Sequence, residues 1–566
     1  MLPHPTHRAL RCPVACRSIV RTTGQGIHLP LVVLAAATVG GTLLALAGWK
    51  SIEHYQPPPP LQAHLPGGDA LSRRVVLIVL DGIRADVVPR MDFLKSLAAH
   101  GSSGITKAVQ PSLSLPARAS MVTGARPAIH GVTTNGRIFK TVGDSVFSLA
   151  KRAGLPAAAA GWRFWSDSLG DTLGENVYIY RDKPSDDAPL NDFFVWQQYK
   201  CRRAVEFLSQ WDRGVLVVAV VTPDIIGHQY GGESPQYLEA AEDADRCIQR
   251  VVKSLNDGDT TFIVASDHGH IDQLGSGGHG GTETEVTDVP TVLYGRAVKR
   301  GSGWRGEQID IAPTICALLG LPLPASNQGE ILWDAIDVPP DARDELRRRE
   351  TQQLAFARAR LPDEAAGRIQ ERKDRIPAAL LAAALGAGTI IWAGFRLREM
   401  WHAAAFGVVV YYAAYRLLFW VTGLNYSLSS VGGEDSAWYF MSRNLAAGSL
   451  ALWCANCVVA WISRLSFRRW LPDLANLIGA TLGVQAATIH LQHGLFMVYL
   501  VPDLDHVIKA YLDLTQLSAI GATVMLLILL DSARAGFDPL TARRQPTDLC
   551  PSAAELLSDR SRPVAE

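Results

Sequence analysis

The chain has 566 residues, with 54 Lys plus Arg against 54 Asp plus Glu, and eight cysteines. That length exceeds one ordinary domain, and the balanced charge gives no basis for a nucleic-acid partner held by bulk electrostatics. The hydrophobic fraction of 48% is ordinary as an average, but the apolar residues collect in long runs at the two ends.

Residues 1–28 form a basic head carrying Arg8, Arg11, Arg17 and Arg21. Leu29 to Trp49 is an uncharged apolar run of about 20 residues, the length that spans a bilayer. A cleavable signal peptide has a shorter core and a small-residue cleavage site close behind it. Here Trp49-Lys50 ends the run, and Pro57 to Pro60 open a stiff linker over 50–70. The run is therefore expected to be an uncleaved anchor. From 71 to 345 short β-rich runs alternate with helical stretches. A charged linker is expected over 346–376 and a multi-pass membrane domain over 377–532. Its apolar runs lie near 377–395, 402–422, 445–462, 474–491 and 515–530, and a cytoplasmic tail follows at 533–566.

Orientation follows from the basic clusters, which stay on the cytoplasmic side. Arg396-Arg398, Arg464-Arg468-Arg469 and Arg534-Arg543-Arg544 alternate with segments poor in Lys and Arg, such as 424–442. One anchor then puts 71–345 outside the cytoplasm, and five further spans return the C-terminus inside. The weak point of that count is 491–515, where Pro502, Asp503, Asp505 and His506 interrupt the apolar stretch. Arg416, inside an apolar run, is a functional candidate because ionisable groups in a bilayer are costly. Cys454 and Cys457 sit in an apolar run and read as helix packing. Cys201 and Cys247 can pair if their segment lies in an oxidising compartment.

In the middle segment Val75 to Leu80 is a continuous aliphatic run, as for a strand buried on both faces of a parallel sheet, and it ends at Asp81-Gly82. Leu216–Val221 is a second such strand, ending at Asp224. Phe262–Ala265 is a third, ending at Asp267-His268, and Pro290–Tyr294 a fourth, with helical patterns such as 234–255 between them. Strands alternating with helices imply an α/β fold, a doubly wound sheet with helices on both faces, whose ligands bind beyond the carboxyl ends of the strands. One acidic group there is ordinary turn chemistry. Three strand ends carrying Asp or His point to a metal site. Asp81, Asp224, His228, Asp267, His268 and His279 supply carboxylate and imidazole donors that suit Zn²⁺. Two ions about 4 Å apart would clamp the attacking and leaving oxygens of a displacement at phosphorus.

The nucleophile is expected in Pro111-Ser112-Leu113-Ser114-Leu115-Pro116-Ala117-Arg118, at a helix start where backbone amides favour phosphate oxygens. Ser112 and Ser120 compete with Ser114 as caps or helix-surface residues.

These motifs stand in one order along the chain. Asp81-Gly82 is followed by Ser114-x-Pro with Val122-Thr123-Gly124, then Arg126-Pro127, His130-Gly131 and Pro223-Asp224-x-x-Gly227-His228. Ser266-Asp267-His268-Gly269 and Gly278-His279-Gly280-Gly281 complete the set, before Ile309-Asp310-Ile311-Ala312-Pro313-Thr314. Over 71–335 the chain resembles the alkaline phosphatase superfamily, in particular the nucleotide pyrophosphatase/phosphodiesterase branch and the ethanolamine phosphate transferases that modify GPI anchors. The resemblance implies one zinc on Asp224, His228 and His279 and another on Asp81, Asp267 and His268. Ser114 would face both as the covalent nucleophile, its oxygen itself a metal ligand, and Asn135 would hold a phosphoryl oxygen. It also implies a phosphoester substrate, lipid or lipid-linked glycan, with water or a hydroxyl as acceptor. Two departures stand out: Ser114 where those branches usually have Thr, and Ala117-Arg118 where the phosphodiesterases often have Asn-His.

Ser114-x-Pro116-x-Arg118 also matches the sulfatase pattern, in which Ser114 would become formylglycine. Sulfatases hold a single calcium, however, and do not need Asp224, His228 and His279. A catalytically silent scaffold for a membrane complex is the other alternative, and the complete donor set speaks against it.

Overall fold

The computed structural model describes residues 28–537 except 54, 63–64, 136–139, 273–277, 423–426, 428, 430–433, 465–466, 468–469 and 495–503. The basic head, most of the tail and the centre of the 491–515 interruption thus lie outside the described residues.

Eight strands build one sheet: β1 (Arg74–Leu80), β2 (Ser102–Lys107), β3 (Ala157–Gly161), β4 (Val177–Ile179), β5 (Gly214–Val220), β6 (Thr260–Ser266), β7 (Asp288–Gly295) and β8 (Gly301–Glu307), in the order β4-β3-β5-β1-β6-β7-β2-β8. The central strands β5, β1 and β6 are buried along their whole length. Alternate side chains enter opposite cores: Val75, Leu77 and Val79 pack in one, Val76, Ile78 and Leu80 in the other. Helices cover both faces, among them Leu190–Leu208 and Pro235–Leu255. The latter is capped by Ser234, whose side chain accepts from the Tyr237 N–H.

Only β7 runs against its neighbours, pairing antiparallel with both β6 and β2. A parallel return needs a crossover, usually a long helix. The described residues between β6 and β7 hold only the four-residue helix Thr284–Thr287. Strand β3, Ala157-Ala158-Ala159-Ala160-Gly161, reads poorly as a strand in sequence because alanine has little β preference. It is a strand because it is buried beside β5.

Among the described residues, six helices are long and apolar enough to cross a membrane: Leu29–Gly48, Arg372–Arg396, Arg398–Val421, Trp438–Ser463, Leu471–His493 and Lys509–Ala533. Each of the five apolar runs after residue 376 coincides with one of them, the run 402–422 passing its helix end by one residue. The first packs against the last, with Thr42 Oγ1 and Ser518 Oγ 2.6 Å apart. Arg416 is exposed on the helix Trp401–Val421, close to its C-terminal end. There its long side chain can reach a membrane–water interface rather than face the bundle interior. Cys454 and Cys457 are unpaired, and Cys201 is bonded to Cys247, joining the helices Leu190–Leu208 and Pro235–Leu255. Within the segment 346–376, the helix Pro340–Arg358 packs Leu346 on the sheet core, and Glu364–Arg396 is one continuous helix into the membrane bundle.

Candidate metal centre and nucleophile

Register sets the site. Leu80 is level with Val220 on one side and Ser266 on the other. Asp81, Val221 and Asp267 therefore leave the sheet together, and Asp224 follows in the first turn of the helix Thr222–Tyr230. The Asp81-Gly82 turn is fixed from behind: the Tyr237 hydroxyl donates to the Gly82 carbonyl at 2.5 Å and accepts from the Arg84 N–H at 3.0 Å. Asp267 Oδ1 accepts from the Gly82 and His268 N–H groups at 3.0 and 2.9 Å.

Two donor sets result. In the first, Asp224 Oδ1 lies 3.4 Å from His228 Nε2 and 3.4 Å from His279 Nε2, and those two nitrogens approach to 3.2 Å. In the second, His268 Nε2 lies 3.5 Å from Asp81 Oδ1 and 3.7 Å from Asp267 Oδ1. The sets adjoin: His268 and His279 stack with ring centroids 3.6 Å apart, and His268 Nε2 is 3.9 Å from Asp224 Oδ1. All six carboxylate and imidazole groups expected as metal ligands thus fall in one cluster.

Ser114 stands against the second set. It opens the helix Ser114–Thr123, after Leu113 in extended conformation, and Pro116 falls in the first turn, where its missing N–H costs nothing. Ser114 Oγ is buried, 3.0 Å from His268 Nε2 and 3.3 Å from Asp81 Oδ1. Asn135 Oδ1 accepts from the Leu115 N–H at 2.9 Å, which brings the Asn135 side chain to the same helix end. The competing serines point elsewhere: Ser112 donates to the Gly281 carbonyl at 2.7 Å, and Ser120 lies 2.9 Å from His130 Nε2.

Two further residues belong to the cluster. Arg118, fully buried one turn after Ser114, pairs with Asp81 Oδ2 and, at 3.0 Å, with Asp267 Oδ2. It occupies the outer oxygen of each carboxylate and leaves the inner oxygens facing His268. In sequence Arg118 showed only as a departure from one family pattern and as part of the sulfatase pattern. Its partners lie 37 and 149 residues away. His270 was missed altogether. Its Nε2 is 3.0 Å from Asp224 Oδ1, and its ring occupies a slot that two glycines keep open. A Cβ at Gly82 or Gly227 would lie 2.8 or 2.7 Å from His270 Nε2. The available signal was a second imidazole, two residues after His268, at the same strand end.

Electrostatics follow from this packing. Burial and then the neighbouring Asp81 push the Asp267 carboxyl up to about 7. Burial is the strongest influence on Asp81 and would raise it, but Arg118 and His268 together hold its carboxyl below the usual carboxylate range. Burial would lower His268, yet the carboxylates of Asp267, Asp81 and Asp224 raise it to about 9. Burial and the cationic His268 hold His279 down to about 3, so its ring is neutral.

The residues fit divalent cations. Among the described residues, three groups of ligand atoms lie mutually within 4.8 Å: Asp224-His268-His279, Asp224-His228-His270 and Asp81-Asp267-His268. Three carboxylates against the Arg118 guanidinium leave two negative charges once the imidazoles are neutral, and two divalent ions would turn the site positive by the same amount. Such a site suits an anionic ester.

Residues 75–275 match the family described as type I phosphodiesterase / nucleotide pyrophosphatase. Curated relatives include the human GPI ethanolamine phosphate transferase 2 catalytic subunit, 25% identical over 296 residues, covering 49% of this chain and 29% of that protein. Human GPI ethanolamine phosphate transferase 1 is 27% identical over 322 residues, covering 47% of this chain and 33% of that protein. The match thus spans about a third of the length of these relatives. Among solved structures, the alkaline phosphatase PafA is 11% identical with a TM-score of 0.40, covering 48% of this chain and 100% of that one. Through residues 75–275 the chain is thus similar to the type I phosphodiesterase / nucleotide pyrophosphatase family, and over about half its length to the GPI ethanolamine phosphate transferases.

Proposed function

We propose that this chain is a membrane-bound, metal-dependent phosphodiesterase or phosphoethanolamine-type transferase with Ser114 as its nucleophile, acting on a lipid or lipid-linked glycan. The observation that carries the reading is the Ser114 hydroxyl, buried at a helix N-terminus 3.0 Å from His268 and 3.3 Å from Asp81, where the two donor sets adjoin. Two divalent cations, zinc by the chemistry of the donors, held by Asp224-His228-His279 and by Asp81-Asp267-His268, would supply charge neutralisation for the attacking and leaving oxygens.

The chain's own residues do the rest. Ser114 Oγ forms the bond to phosphorus as the ester P–O bond breaks, and the leaving alkoxide is released as an alcohol. Asp81 Oδ1 and His268 Nε2, the polar atoms nearest Ser114 Oγ, hold the hydroxyl against the second donor set. The positive end of the helix dipole favours the phosphoryl oxygens, and we assign the Asn135 side-chain NH2, whose Oδ1 accepts from the Leu115 N–H, to one of them. Water or an acceptor hydroxyl then attacks phosphoserine 114 and restores the free serine.

The transferase form draws support from the relatives named above, and the lipid-linked substrate from the six membrane-length helices. The Arg clusters support a catalytic domain outside the cytoplasm over 71–345, with both termini inside. So does the Cys201–Cys247 disulfide, a bond that persists in oxidising compartments. The sulfatase reading is weakened by Arg118, which is paired with Asp81 and Asp267.

The test is trapping. Purified full-length protein with zinc, given bis-p-nitrophenyl phosphate and quenched in acid, should yield a peptide phosphorylated at Ser114, and Ser114→Ala should lose nearly all turnover with its metal content kept. Phosphorylation elsewhere, or a formylglycine at position 114 with turnover of a sulfate ester, overturns the reading.

A further inference from the structure

His279 sits in the run Gly275-Ser276-Gly277-Gly278-His279-Gly280-Gly281. A ligand on so glycine-rich a backbone is expensive to hold still, because glycine loses the most conformational freedom on ordering. Its ring is oriented by Nδ1, 3.1 Å from the Ser112 carbonyl, which must accept the Nδ1 proton and so leaves the Nε2 lone pair toward Asp224 and His228. On one side the backbone is tied by Gly278, which exchanges two hydrogen bonds with Ile271 at 2.8 and 2.9 Å.

The other tie comes from the membrane half of the chain. Ser427 lies between the membrane-length helices Arg398–Val421 and Trp438–Ser463 and is fully buried. Its Oγ accepts from the His279 N–H at 2.9 Å and donates to the His279 carbonyl at 2.6 Å. One hydroxyl thus serves both backbone groups of His279, as a neighbouring strand would. Ser429 supports it, with Oγ 2.6 Å from Ser427 Oγ and N–H 3.3 Å away. The approach is closer than a side chain on residue 278 would permit: a Cβ on Gly278 would lie 2.7 Å from Ser427 Cβ.

We propose that Ser427 is a positioning residue for His279, so that the metal centre is completed by the connection between two membrane helices. The inference rests on the reading of His279 as a metal ligand, and it deepens the proposed function by fixing where the centre works. A second contact places the first membrane helix beside the same domain: the Tyr55 hydroxyl, just past the helix His28–Glu53, donates to the Ala128 carbonyl at 2.8 Å. Segments next to the membrane-length helices thus bind the catalytic domain at both points.

The experiment uses the full-length chain in nanodiscs and measures zinc affinity by chelator competition, alongside kcat and KM. Ser427→Ala should weaken one of the two zinc ions by about 10–100-fold, leave the other unchanged, and lower kcat in step with occupancy. Gly278→Ala, which wedges Ser427 away without removing the hydroxyl, should reproduce the loss and keeps the test alive if Ser427→Ala does not fold. Both ions held at wild-type affinity in these variants overturns the inference. Failure of the wider reading looks different: the zinc result would stand, but no phosphoserine would form at Ser114.

Discussion

At the carboxyl ends of β1, β5 and β6 three carboxylates, four imidazoles and a guanidinium crowd within hydrogen-bond reach of one another. In the bundle of 372–533 the buried polar groups are mostly hydroxyls and amides matched pairwise: Tyr415 donates to Asn444 Oδ1 at 2.5 Å, and Tyr411 to Gln516 Oε1 at 2.8 Å. The first arrangement is an excess of anionic donors around too little positive charge, which is what a cation site looks like before its cation. In the second most polar groups find a partner on a neighbouring helix, and the buried carboxylates Asp473 and Asp513 pair with Arg396 and Lys509, while Asn456 Oδ1, Trp470 Nε1 and Asp513 Oδ2 stand without a hydrogen bond. The same polar atoms therefore carry function in one region and cohesion in the other. That contrast can be broken by experiment.

The largest effect is expected at Arg118. Arg118→Leu removes the guanidinium that bridges Asp81 and Asp267 and should cost about 3–5 kcal/mol of stability in metal-free protein. Saturating zinc should restore most of it, because the inner carboxylate oxygens then have another counter-charge. Thermal melts with chelator and with zinc measure both numbers. An equal loss under the two conditions would make Arg118 an ordinary core ion pair and would remove its link to the metal set.

His270 comes next. It has Nε2 on Asp224 Oδ1 and a buried Nδ1 with no hydrogen-bond partner. If Nε2 bound an ion, Nδ1 would carry the proton and leave a buried donor unsatisfied, a greater cost than an unsatisfied lone pair. The Nε2–H tautomer donating to Asp224 is favoured, which makes His270 a support for that carboxylate. His270→Ala should weaken zinc by about 10–100-fold at the Asp224 set, and His270→Gln, which can still donate, should recover part of it. Loss of a whole ion in both variants would make His270 a ligand instead.

The two regions also differ in how far sequence alone described them. Strands β1, β5 and β6 were legible because both faces are buried and the aliphatic run is unbroken. Their terminal Asp and His residues were legible because chemistry of that kind collects at strand ends. Asp224, His228 and His279 come together although 51 residues separate the two histidines, and only the known order of motifs in a family anticipated that. The reversed β7 and the all-alanine β3 were not legible, since direction and burial are tertiary properties. Nor was His270, whose meaning depends on the space left by Gly82 and Gly227. The apolar runs marked the membrane helices one by one. Nothing in those runs indicated that Ser427 would reach back to His279, because a serine in a polar connection has no local pattern that distinguishes a latch from a loop.

The smallest effect is expected in the bundle, and it tests the contrast from its other side. Asn444 is fully buried, accepts from Tyr415, and donates to the Leu512 carbonyl at 3.3 Å and to Thr515 Oγ1. It ties the helix Glu434–Ser463 to Leu504–Phe537 and to Trp401–Val421. Interhelical hydrogen bonds of this kind contribute about 0.6 kcal/mol on average in a membrane, because the separated helices find other partners. Asn444→Leu is close in volume and removes both functions of the amide. It should lower resistance to detergent unfolding by about 1 kcal/mol or less, with zinc affinity and turnover within about twofold of wild type. Detergent titration followed by tryptophan fluorescence, together with turnover of a diester, measures these quantities. A loss of turnover beyond tenfold with the fold intact would mean that the polar interior of the bundle handles substrate. The division between a charged centre that reacts and a matched bundle that merely holds would then be wrong.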